Sequence, residues 1–124
     1  MTPPKLIDRL EKADGPDREL DAAIGELFPK TVTDDYGAPL IDMDRGHLTA
    51  SLDATLTLME EVLPVPRWWP RLVLYEGIAG PMWQAQMDRP EDATEEEHHG
   101  VHQSSAIALL IAILKAKQAM EESA

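Results

Sequence analysis

Residues 95–103 read EEEHHGVHQ, so the imidazoles of His98, His99 and His102 follow directly on the carboxylates of Glu95, Glu96 and Glu97. Imidazole nitrogen and carboxylate oxygen are ordinary zinc ligands, and His98 and His102 have the i, i+4 spacing that places two side chains on one face of a helix. If the following helix began early enough to include them, the pair would hold zinc with Glu95 adding an oxygen. A small metal-binding protein or metal-dependent hydrolase would be the result. Against this stand Gly100 between the two ligands and the absence of the HExxH general base. The competing expectation is a solvated acidic loop with no metal or other cofactor.

Other chemistries find less support. Asp42 to His47, DMDRGH, begins like a calcium loop, but its glycine is fifth instead of sixth and Asp53, twelfth from Asp42, falls in a helical pattern, so it reads as a turn. The chain has no cysteine and no GxSxG, and its serines stand at helix starts or at the C-terminus, which leaves no activated nucleophile. Gly77 and Gly80 match neither GxGxxG nor a Walker sequence. The expectation is a protein that is not an enzyme.

Binding chemistry is better represented. Trp68 and Trp69 are adjacent, so on a strand they point to opposite faces, and one of them beside Arg67 and Arg71 can remain exposed. Tryptophan and arginine dominate binding hot spots. The chain carries 23 acidic against 11 basic residues, a formal net charge of -12. That charge disfavours direct contact with nucleic acid or an anionic membrane and favours a basic protein partner. Trp68, Trp69, Arg67 and the run Glu95, Glu96 and Glu97 are the expected partner-binding residues.

The elements that must position these groups follow from periodicity. Leu6, Ile7 and Leu10 form one helical stripe, and Leu20, Ile24, Leu27 and Phe28 form a second behind an Asp17 cap. Residues 30–47 are rich in turn formers and acids, with Leu40 and Ile41 as a short edge strand. Leu52, Leu56, Met59 and Leu63 predict a helix capped by Thr49 or Ser51 and stopped by Pro64 and Pro66. RWWPRLVLYEG and PMWQAQMDRP predict a β-hairpin with a four-residue loop, in which Trp83, Ala85 and Met87 share one face and Met82, Gln84 and Gln86 the other. SSAIALLIAILKAKQAM predicts a helix capped by Ser104 or Ser105. Its apolar residues run right round the axis, so it should be the most buried element.

The order RELDAAI, TASLDATLTLME, a hairpin with W-x-A-x-M, then ALLIAILKAK resembles the phage ABA-sandwich domain family over roughly residues 17–119. The resemblance implies small accessory proteins of bacteriophages and prophages, and it transfers no catalytic motif. Resemblance and patterning together predict one α+β domain spanning 1–124, a small antiparallel sheet with helices packed on both faces. With 124 residues and 44% hydrophobic content the chain can bury a real core. No cysteine, no signal-like stretch and no apolar run near the roughly 20 residues of a membrane span point to a cytoplasmic protein, and the resemblance implies that the cell is a bacterial host. The functional expectation is an accessory protein acting by protein contact, an acidic inhibitor of a host nucleic-acid-binding or defence system. A self-associating virion module is the alternative, and homo-oligomers are compatible with either.

Overall fold

The computed structural model describes residues 1–63, 69–78, 80–88 and 98–122. Four helices and two antiparallel sheets make an α+β fold, in the order α1 (Pro3–Lys12), α2 (Arg18–Leu27), β1 (Lys30–Thr33), β2 (Pro39–Asp42), α3 (Leu52–Val62), β3 (Trp69–Gly77), β4 (Gly80–Asp88), β5 (His98–His102) and α4 (Ser105–Glu122). Helix starts follow the cap chemistry. Asp17 accepts from the backbone N–H of Glu19 and Leu20, Ser51 from Ala54, and Ser104 from Ile107, which satisfies amides that have no partner within the helix. Thr49 is spent differently: its Oγ1 accepts from Asp17 N–H at 2.8 Å while its own N–H donates to the buried Asp21 carboxylate at 2.7 Å. These bonds fix the segment before α3 onto the first turn of α2. Between α1 and α2, Glu19 accepts a hydrogen bond from Arg9, and this bond with the Glu19 charge raises that guanidinium's pKa above its ordinary value.

α4 explains the architecture. Ile107, Leu110, Ile111 and Leu114 pack with Leu6, Leu10, Leu20, Ile24 and Leu58 of the other three helices. Ala108, Leu109, Ala112, Ile113 and Ala116 pack with Ala85 and Met87 of the sheet and with Met59 and Leu63 at the end of α3. A helix that is apolar all round thus has a coat on each side, and every residue from Ala106 to Leu114 is buried. The layers are helices, then α4, then sheet.

This order differs from a sandwich with helices on two sheet faces. Among the described residues the helices lie on one face of the three-stranded sheet, that of Ala85, Met87 and Gly100. The reason is that α4 occupies that face, with Met59 and Leu63 at the end of α3 packed beside it and the end of α1 reaching β5 through His102. On the other face Val73, Tyr75 and Val101 are exposed.

The sheet has the order β3-β4-β5 and is antiparallel throughout. Its β3–β4 register runs unbroken from Trp69 opposite Asp88 to Gly77 opposite Gly80. The two glycines therefore pair, and the connection is two residues instead of the four expected. β5 was expected to be part of an acidic loop; it pairs with β4 from Trp83 opposite His102 to Met87 opposite His98. Leu40 and Ile41 lie in a strand, as expected, but β2 pairs with β1 in a separate two-stranded sheet. The β-branched Thr31, Val32 and Thr33 favour that strand locally.

Candidate functional site

The histidine segment is strand, and this changes what it can do. His98, Gly100 and His102 share the inward face of β5, and four strand residues separate His98 from His102 by about 13 Å. The helical presentation of two ligands to one ion does not occur. α4 crosses between them: a Cβ on Gly100 would lie 2.4 Å from the Ala108 carbonyl oxygen. His102 is buried, and its ring is committed to the fold. Nδ1 accepts from the Ser104 N–H at 2.9 Å and so carries no proton, which makes Nε2 the donor to the Ala13 carbonyl at 2.6 Å. The imidazole ties the end of α1 to the start of α4. Among the described residues no group of three or more His, Cys, Asp or Glu side chains converges as metal ligands would.

Replacing His102 by phenylalanine keeps a ring in place but leaves that carbonyl and that amide without their partner. We expect a loss of about 2 kcal/mol, read as a lower urea midpoint with unchanged slope. An unchanged midpoint would mean that the ring is not a structural tie.

Of the residues expected to bind a partner, Arg67, Trp68, Glu95, Glu96 and Glu97 lie outside the described residues. Trp69 opens β3, and nothing further is described of its indole. A cleft of about 270 Å³ lies between α2 and the segment after β2. Its charges serve the fold. Arg18 bonds Asp21 and the Gly46 carbonyl, and Arg45 bonds the Phe28 carbonyl and Glu61.

The exposed apolar surface is more informative. Apart from Met1, each large hydrophobic side chain found exposed among the described residues lies in one of two places. Val73, Leu74, Tyr75, Ile78 and Val101 belong to the three-stranded sheet and its hairpin tip. Tyr36, Leu40, Ile41 and Met43 belong to the arm formed by β1, β2 and the residues beside them. No family model, curated protein or solved structure matches this chain. What the two surfaces can do follows from their own chemistry.

The arm is acidic and ends in a closed turn. At its tip the Asp34 carboxylate accepts from the N–H groups of Tyr36 and Ala38 at 2.9 and 2.8 Å, and Gly37 supplies the positive φ of 81° that closes the turn. Tyr36 stands 95% exposed on this turn and Ile41 is 74% exposed on β2. Residues 30–45 carry Asp34, Asp35, Asp42 and Asp44 against Lys30 and Arg45, and the Arg45 guanidinium is bonded to the Phe28 carbonyl and Glu61. The Asp42 and Asp44 carboxylates also organise the return toward α3, accepting from the Asp44 and Gly46 amides. DMDRGH thus starts in β2 at Asp42 and continues as irregular chain held by these two bonds. Neither Tyr36 nor Ile41 carries a signal in the sequence that would distinguish it from a core residue, because exposure is decided by what does not pack on the arm.

Proposed function

We propose that the chain is a non-catalytic accessory protein that acts by protein contact, with the acidic arm and its exposed Tyr36 and Ile41 as the contact surface. The observation that carries this reading is that, Met1 apart, the large apolar side chains exposed among the described residues lie on the arm and on the three-stranded sheet with its hairpin tip. Scattered apolar residues are normal on a protein surface, whereas apolar groups gathered on a projecting element and rimmed by polar ones mark recognition sites. Tyrosine supplies large contact area with little entropy to lose, and the surrounding aspartates select a basic partner. The resemblance to the phage ABA-sandwich family adds the setting: a phage or prophage protein acting in the bacterial cytoplasm. There its -12 charge suits it to inhibit a basic, nucleic-acid-binding host or defence protein. No helix among the described residues is long and apolar enough to cross a membrane.

Affinity capture from host lysate at low and high salt tests the reading. A discrete basic protein retained at low salt and released as salt screens the aspartates is the expected result. Recovery of the chain without any such protein would remove it.

A further inference from the structure

β3 is an edge of the main sheet, and the direction of its backbone groups can be worked out. Gly77 and Gly80 flank two residues, so they close a β-turn and form a hydrogen-bonded pair. Antiparallel pairs alternate between bonded and non-bonded, which gives β4 the backbone groups of the odd-numbered β3 residues. Those of Pro70, Leu72, Leu74 and Glu76 point outward. Two observations agree with this phase. Pro70, which has no N–H to give, falls in the outward set. Carried across to β5, the same alternation turns the His99 carbonyl outward, and there Lys115 Nζ donates to it at 3.1 Å.

The two edges of the sheet are therefore unlike. β5 has its Lys115 contact. Beside β3, among the described residues, no element lies on the outer side, and Val73, Leu74 and Tyr75 are 47%, 55% and 39% exposed. Natural edge strands are usually blunted by a central lysine, an inward charge or a bulge. β3 has none of these at its centre, its register with β4 is continuous for nine residues, and its charged side chains, Arg71 and Glu76, stand away from the middle.

We propose that the β3 edge pairs with the β3 edge of a second copy of this chain, antiparallel about a two-fold axis at Val73, to form a six-stranded sheet. In this register Val73 faces Val73, Leu72 faces Leu74 in each direction, and Pro70 faces Glu76. Every outward N–H then finds an acceptor: Leu72 donates to Leu74, Leu74 to Leu72, and Glu76 to the carbonyl of Pro70. The one donor missing from the ladder is the one proline lacks. Sliding the register by two residues sets Leu72 opposite Glu76, with Leu74 on Leu74 and Val73 on Tyr75, or sets Val73 opposite Arg71, with Leu72 on Leu72; either way the two Leu72–Leu74 pairs are lost. Charge also selects this surface. Two copies of a chain of net charge -12 repel, yet residues 69–87 carry one arginine and one glutamate and are neutral. The interface is isologous and closed, so assembly stops at the dimer. The proposal is independent of the arm, which points to a different partner.

The chain has no cysteine, so a single introduced thiol can bridge only to its own copy. In a non-hydrogen-bonded pair the two Val73 Cα atoms lie about 4.5 Å apart, within disulfide reach. Val73→Cys is expected to give a disulfide-linked dimer under mild oxidation, while Val101→Cys, equally on the open face but on the far strand, stays monomeric. Leu74→Pro removes an outward amide as Pro70 already does and spares the β3–β4 bonds. At concentrations where both are monomeric it should melt with the wild type, while its dimer dissociation constant in sedimentation equilibrium rises by at least about tenfold. A wild type that sediments as a monomer, or Val73→Cys and Val101→Cys cross-linking alike, would overturn the proposal whether or not Leu74→Pro folds.

Discussion

Gly100→Ala should destabilise the protein by about 3 kcal/mol or more, a fall on the order of 10 °C in melting temperature for a domain of this size. The added Cβ would stand 2.4 Å from the Ala108 carbonyl oxygen, 2.6 Å from Ile111 Cβ and 2.8 Å from Ile111 Cγ2. None of these is the far end of a flexible side chain. One is helix backbone and the others belong to a branched residue in the core, so β5 and α4 must move apart as units. That motion loosens the packing of Ala108 and Ala112 against Ala85 and Met87, where small residues let the helix lie close to the sheet. Gly15→Ala is the control, since nothing lies within 4 Å of its Cβ position, and its melt should stay within about 0.5 kcal/mol of wild type. Equal melts for the two variants would mean that the helix does not lie this close to β5.

Leu110→Ala should cost about 3 to 4 kcal/mol, within the range for large-to-small changes in a packed core. Leu110 is completely buried on the side of α4 that faces α1, α2 and α3. Truncation removes the transfer free energy of the lost atoms and leaves a cavity. The walls of that cavity belong to elements tied by other bonds: Asp17 to Thr49, and Ala13 to His102. They cannot readily collapse into the space. Leu110→Met, which conserves volume, should cost less than about 1.5 kcal/mol. Chemical denaturation of the three proteins at one temperature measures the series. A cost for Leu110→Ala below about 1 kcal/mol would show that the layer between α4 and the other helices is not a packed core.

Most of the helical framework was legible in the sequence because its signals are local. The spacing of Leu6, Ile7 and Leu10, the Asp17 and Ser51 caps, and the all-round apolar character of Ala106 to Leu114 each name an element without reference to the rest of the chain. β5 was not legible for a physical reason. Its inward positions are His98, Gly100 and His102, and its one strong strand former, Val101, faces outward, so the usual alternation is reversed. A histidine held by two backbone groups and a glycine under a helix look, in sequence, like a polar loop. The i, i+4 spacing of His98 and His102 suggested shared metal ligation only as long as the segment was helix; on a strand the same spacing separates them. The side of the sheet left open also depended on tertiary structure, because the sequence required neighbours all round α4 without saying that one side would take the sheet and the other the three remaining helices. Likewise, Tyr36 and Ile41 acquire meaning only from their exposure among the described residues, which no local pattern encodes.

The most direct test of the contact role compares capture from host lysate by the wild-type protein and by the Tyr36→Ala, Ile41→Ala double variant. Both side chains are exposed, so the melt should not change. If the arm carries the contact, the variant should hold the basic partner about thirty-fold more weakly, the loss of roughly 2 kcal/mol expected of a hot spot. A variant that retains the same partner to the same extent would contradict the account.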